Sequence, residues 1–332
     1  MGERLTLDVT VERWPFKAPF RITGFTFENA EVVVAQVSDG AHLGRGEACG
    51  VYYRGDTPAT MAASIETVRA LIEAGPTREA LRQALPPGGA RNAVDCALWE
   101  LEAARAGRPA WRLASETPPR PLLTTYTISA DTPESMAASA QDYAGARAIK
   151  LKLIGDGLDG ERVAAVRRAR PDVWLAVDAN QAFSLAGLSE LTPKLVANGV
   201  KLIEQPLPVG SDAGLDGYES PIPLAADESL QDLGDMAALV GRYHVANIKL
   251  DKSGGLTEAL LMAHEAKRLG LKVMVGNMTG TSLAIAPGYI LGQLCDVVDL
   301  DGPMFLKADR EPSVRYVDGY VHCDAAVWGA GA

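Results

Sequence analysis

Lys150 and Lys152 stand one residue apart in AIKLKLIGDGLDG (148–160), inside a run that otherwise reads as a buried strand. Successive side chains of a strand point to opposite faces, so these two ammonium groups point the same way. Downstream, further apolar runs end in charge: Asp178 and Asn180 in WLAVDAN, Glu204 in KLIEQPL, Asp227 and Glu228 in IPLAADES, then Lys249 and Lys252 in VANIKLDK. Lys152, Asp178, Glu204, Asp227 and Lys252 follow one another at intervals of 26, 26, 23 and 25 residues (178 − 152, 204 − 178, 227 − 204, 252 − 227). Three carboxylates from successive strands make a hard oxygen site that suits Mg2+, completed by waters and substrate oxygens. Zinc is disfavoured, because no His or Cys lies at these ends. Lysines on either side of such an ion could take a proton from one face of an α-carbon and return one to the other, while the metal stabilises the enediolate between. A lysine is a base only when its pKa falls toward neutrality, and Lys150 beside Lys152 supplies a cation that disfavours the charged form.

Such residues meet only if the chain folds to bring them together. Eight short apolar runs recur: TTYTIS (124–129), AIKLKL (148–153), WLAVDAN (174–180), KLIEQPL (201–207), IPLAADES (222–229), VANIKLD (245–251), KVMVGNM (272–278) and VVDLDGP (297–303). Helix-like stretches separate them, including LTEALLMAHEAKRLG, closed by Gly270. Eightfold strand–helix alternation predicts a (β/α)8-type barrel of the α/β class, with chemistry at the C-terminal strand ends. The expected division is an α+β capping domain over 1–115, the barrel over 116–305, and a C-terminal segment, 306–332, returning to the cap. In the cap, antiparallel strand patterns precede two helices, and the one around Asp95 to Glu102 reads as core packing. Asp318-Gly319 in SVRYVDGYVHC signals a hairpin expected to rejoin that first domain.

Bulk properties narrow the function. Net charge is −10 among 332 residues, with no basic patch for nucleic acid. No apolar run nears the roughly 20 residues a membrane span needs. The start MGERLTLDVT lacks a signal pattern, and Gly2 with Thr6 matches an acylation pattern only formally. The four dispersed cysteines read as reduced thiols of a cytoplasmic protein.

At KLK (150–152), VDAN, IEQP, ADES and IKLDKSGG, the sequence resembles the muconate-lactonizing subgroup of the enolase superfamily, and within it the dipeptide epimerases. The likeness runs nearly the whole chain, PFKAPFRI and GRGEACGVYYRGDT of the cap included. It implies one Mg2+ per subunit on Asp178, Glu204 and Asp227, Lys152 and Lys252 as the acid/base pair, and Lys150 assisting. It also implies a dipeptide substrate, with Asp299 and Asp301 in DLDGP holding its free α-ammonium. Thr127 joins as a substrate contact, and Asn180 and Glu228 as supports behind the ligands. Arg21 in PFRITGF or Arg54 in YYRGD is expected to meet the substrate side chain, although Gly24 and Phe25 depart from the basic pattern of Ala-Glu epimerases. Asn277 stands where a Cys is often seen. A homo-oligomer is left open.

Two other readings remain. A cycloisomerase, o-succinylbenzoate synthase or dehydratase would use the same fold and enolate, but its substrate has no α-ammonium for Asp299 and Asp301. GDGLDG (155–160) is a literal G-x-G-x-x-G of the dinucleotide-binding kind, yet Asp156 and Asp159 would face a pyrophosphate with like charge.

Overall fold

β1 (Thr6–Ile22) and β2 (Phe25–Ser38) form an antiparallel hairpin closed at Gly24, whose φ of 76° suits glycine. Their register shifts between Pro15 and Phe20, where PFKAP holds two prolines that cannot donate to the ladder. β3 (Leu43–Ala48) completes this sheet, and the helix Gly89–Arg105 lies on its face. Gly44 and Gly46 permit that approach, since a Cβ at either would stand 2.0 Å from a carbonyl oxygen of the helix. The computed structural model describes residues 4–330; Gly2 of the acylation pattern and the outermost residues of both end segments lie outside it.

After β4 (Leu122–Leu123) come the eight parallel strands: β5 (Thr125–Ile128), β6 (Ala148–Lys152), β7 (Trp174–Asp178), β8 (Val200–Glu204), β9 (Leu224–Ala226), β10 (Val245–Lys249), β11 (Lys272–Gly276) and β12 (Val297–Val298). They pair in chain order, as the alternation predicts. The seam between β12 and β5 is bridged by side chains: Leu300 N donates to Thr124 Oγ1 (2.9 Å) and Thr127 N to Asp301 Oδ2 (2.7 Å).

Period-two alternation then sorts the residues. Ile149, Leu151, Val177, Ile203, Ile248 and Val275 join the large core shared with the helices. Ala176, Leu202, Ala225, Val245 and Met274 pack together in a separate apolar cluster. Two residues further along the same faces stand Asp178, Glu204, Asp227, Asn247 and Gly276. The barrel interior is therefore apolar below and ionic at its mouth.

β13 (Arg315–Val317) and β14 (Tyr320–His322) form the expected hairpin, with Asp318 (φ 50°) and Gly319 (φ 80°) both left-handed. Its partner differs from expectation: β14 pairs with β4 beside the barrel, away from the capping sheet. Flanking residues reach the cap instead. Lys307 N donates to Pro15 O (2.8 Å), and Trp328 Nε1 to Arg45 O (2.8 Å). Among the described residues no helix is long and apolar enough to cross a membrane.

Candidate active site

Lys152, Asp178 and Glu204 lie on one rung of the sheet, since Lys152 pairs with Asp178 and Asp178 with Glu204. Asp227 follows β9, and one carboxylate oxygen from each of Asp178, Glu204 and Asp227 lies within 4.8 Å of the others. All three side chains are buried. Six buried carboxylates (the triad, Glu228, Asp299 and Asp301) face four buried ammonium groups, those of Lys150, Lys152, Lys249 and Lys252. Fully ionised, that leaves two negative charges over. Burial first, and then Asp178, push the Glu204 carboxyl above its ordinary range; burial and Asp227 do the same to Glu228. Asn180 Oδ1 and Glu228 Oε2 are buried without a partner. A hard donor set with two charges in excess and spare acceptors beside it fits a divalent cation.

The lysines divide by what their protons meet. Lys150 bridges Asp299 and Glu204 (3.2 Å to the latter) and lies 3.8 Å from Asp178. Burial alone would lower its pKa, but Asp299, Glu204 and Asp178 hold it well above the ordinary lysine range. It is a fixed countercharge. Lys152 Nζ donates to Asp178 Oδ2 (2.6 Å) and lines the cavity above the triad.

Lys252 does not occupy the mirror position expected of it. Its ammonium donates to Asp227 Oδ1 (2.5 Å), Asp227 O (2.6 Å) and Asn247 O (3.1 Å), and the residue is 1% exposed. An ammonium has three donors, so all are spent on the fold. The residue that faces the cavity is Lys249, the last of β10, with one carboxylate contact, Asp227 Oδ2 at 2.7 Å. Lys249 is opposite Lys152: β6 and β10 are four strands apart in a ring of eight. Gly276, paired with Lys249 on β11, leaves room for it, since a Cβ there would stand 2.9 Å from Lys249 Cε.

The two glycines after Lys252 serve a different neighbour from the base. A Cβ on Gly254 (φ 78°) would lie 2.2 Å from Arg91 Nε, and one on Gly255 (φ 113°) 2.4 Å from Asp95 Oδ2. Arg91 donates to Ser253 O (2.5 Å) and Glu258 (2.6 Å), while Asp95 accepts from Thr257 N (2.9 Å). The capping helix therefore grips the turn that carries Lys252, a role beyond core packing. Gly254→Ala should cost at least about 2 kcal/mol through left-handed strain and displacement of a buried arginine. Thermal denaturation would show it as a lowered Tm; an unchanged Tm would contradict this packing.

At the eighth strand, Asp299 and Asp301 both line the cavity, with Thr127 beside them. Thr125 Oγ1 donates to Asp299 (2.5 Å). Asn180 Nδ2 donates to Glu228 Oε1 (3.2 Å), and Asn180 holds a left-handed φ of 39° just past β7. That is backbone strain beside the ionic cluster. Arg21 and Arg54 do not line the cavity. Arg21 is 57% exposed and 4.0 Å from Asp131, and Arg54 donates to Gln231 Oε1 (3.2 Å). The GDGLDG loop offers no phosphate cradle: Asp159 already accepts from Ile154 N and Gly155 N, and Arg162 pairs with both Asp156 and Asp159.

Residues 4–114 match the mandelate racemase/muconate lactonizing enzyme N-terminal domain, and 135–329 the enolase C-terminal domain-like family. The chain belongs to the enolase superfamily. It is 42% identical over 320 residues to the L-Ala-D/L-Glu epimerase of Escherichia coli K12, covering 96% of this chain and 99% of that one. A crystal structure from Agrobacterium tumefaciens with bound sodium and L-Ala-L-Glu, described as homologous to dipeptide epimerases, superposes with a TM-score of 0.95 at 40% identity, over 98% and 100% of the two chains. A dipeptide epimerase from Enterococcus faecalis, complexed with Mg and L-Leu-L-Tyr, gives a TM-score of 0.89 at 26% identity, over 99% and 98%.

Proposed function

We propose that this superfamily member is a Mg2+-dependent dipeptide epimerase, inverting the α-carbon of the C-terminal residue by two-base proton transfer. One observation carries the reading: Lys152 and Lys249 project from opposite sides of the barrel mouth, each on a different carboxylate of one triad. Asp178, Glu204 and Asp227 would hold the ion, one per subunit. Bound there, it would neutralise charge gathering on the substrate carboxylate as the α-proton leaves. Lys152 takes or returns the proton on one face and Lys249 on the other, while Lys150 keeps Asp299 and Glu204 in place. The cavity of about 510 Å3 beneath the capping domain is large enough for a dipeptide.

Asp301 favours an amine-bearing substrate over the cycloisomerase, succinylbenzoate synthase and dehydratase readings, because it lines the cavity with no ion-pair partner among the described residues, whereas Asp299 is already paired with Lys150. Incubation in D2O with Mg2+ and an L,L-dipeptide tests the reading. The expected result is deuterium at the second α-carbon together with appearance of the L,D epimer. Deuterium-free, unepimerised dipeptides across a broad library would reject it.

Asp301→Asn should raise KM for such dipeptides by roughly 10- to 100-fold, the worth of one charge-assisted hydrogen bond. N-acylated dipeptides, which lack the cation, should show no such rise. Burial, and then the charge of Asp299, push the Asp301 carboxyl up to about 6. It is charged above that pH and neutral below, so KM should climb as pH falls through 6; a flat KM between pH 8 and 5 would remove Asp301 from the ammonium site.

A further inference from the structure

The capping domain roofs the mouth with aromatic rings. Tyr52 meets Phe27 edge-on (centroids 5.2 Å apart) and Phe25 (4.7 Å), and Tyr53 stands at 87° to Tyr52 (5.1 Å). Phe27, Tyr52 and Tyr53 all line the cavity. The roof is anchored on both sides: Thr23, at the hairpin tip, donates to Leu153 O past β6 (3.2 Å), and Gln231, in the loop after β9, donates to the Tyr53 hydroxyl (3.1 Å).

Substrate geometry fixes what this roof touches. When Lys152 and Lys249 work on opposite faces of the α-carbon, its other three substituents lie in the plane between them. The carboxylate points to Asp178, Glu204 and Asp227. The peptide nitrogen leads to the first residue, whose ammonium sits at Asp299 and Asp301 after β12. The remaining direction, that of the side chain, leads out of the barrel mouth toward the cap, since the triad at the ends of β7 to β9 and the acids after β12 take the other two. Tyr53, tied to Gln231, covers that side, with Tyr52 and Phe27 beside it.

The charges there point the same way. Glu28, Glu31 and Asp56 line the cavity, and its cation outside the lysine cluster, Arg13, stands 3.5 Å from Glu31. Arg21 and Arg54 turn elsewhere. A side-chain carboxylate would be desolvated against rings and next to three acids, with Arg13, shared with Glu31, as the one cation beyond the lysines among the described residues that line the cavity.

Resting on the epimerase reading, we infer that the inverted residue carries an uncharged apolar side chain, aromatic included, seated against Phe27, Tyr52 and Tyr53, in place of the glutamate named for the E. coli relative. The test is α-deuteration in D2O with Mg2+ across L-Ala-L-Phe, L-Ala-L-Leu, L-Ala-L-Lys and L-Ala-L-Glu. The expected kcat/KM for the Phe and Leu dipeptides is at least tenfold above that for Glu. Phe27→Arg, checked for an unchanged circular dichroism spectrum, should shift the Glu:Phe ratio at least tenfold toward Glu. L-Ala-L-Glu as the best substrate overturns the inference and leaves the epimerase standing. L-Ala-L-Lys as the best also overturns it, by giving Glu28 and Asp56 the decisive part. Exchange with no dipeptide overturns both.

Discussion

Lys249→Ala is expected to abolish epimerisation, a loss on the order of 10^2- to 10^4-fold or more, the usual worth of a positioned acid/base group. Lys249 lines the cavity with one carboxylate contact, so two of its three donor directions are free for a substrate. Burial would lower its pKa, but Asp227, Glu204 and Asp178 hold it well above the ordinary lysine range. A divalent ion held by the same carboxylates would weaken that hold and so make the Lys249 amine a better base. The two-base scheme also demands asymmetry. Lys249→Ala should still wash deuterium into the epimer whose α-proton faces Lys152, and Lys152→Ala into the other. Lys252→Met separates the two lysines of IKLDKSGG. It breaks a buried pair with Asp227, so it should cost about 3–5 kcal/mol of stability, and folded protein should retain proton exchange on both faces. Two-faced exchange in Lys249→Ala, with its loss on one face in folded Lys252→Met, would return the base role to Lys252.

That exchange of roles marks where the sequence ceased to be readable. Strand–helix alternation announced the barrel, a period of two put Lys150 and Lys152 on one face, and the spacing of the runs put Asp178 and Glu204 at strand ends around one rim. The same rule applied to β10 favours Lys249, since 245, 247 and 249 share a face, whereas Lys252 lies beyond the strand, in a short helical turn (Leu250–Ser253). Even spacing along the chain drew attention to Lys252; parity within the strand was the better guide. Other features depended on partners distant in sequence. Gly254 and Gly255 acquire meaning only from Arg91 and Asp95 on the capping helix, more than 150 residues upstream. The directions of Arg21 and Arg54 follow from a register shift at two prolines and from a turn held by Gln231, neither of which a charge pattern reveals. The β14–β4 pairing joins segments that share no motif.

Removing the divalent ion with a chelator should stop turnover and lower Tm, and Mg2+ should restore both. The reasoning starts from charge. Fully ionised, six buried carboxylates against four ammonium groups leave the mouth two charges negative, and like charges at this depth repel strongly. An ion that binds only the folded site stabilises it by about 2.7 kcal/mol at a hundred times its Kd, a rise of a few degrees or less in Tm for a chain of this length. Glu204→Gln removes one ligand and one charge together, so it should erase the Mg2+-dependent rise in Tm as well as activity. The pH dependence has a definite sign. Because burial and Asp178 hold the Glu204 carboxyl above its ordinary range, a proton competes with the metal at low pH. The Mg2+-dependent rise should therefore be larger at pH 8 than at pH 6, while Asp227, which burial opposes but Lys249 and Lys252 keep ionised, contributes no such slope. A Tm rise undiminished in Glu204→Gln would place the ion elsewhere, and turnover undiminished by chelation would leave the two lysines to work without one.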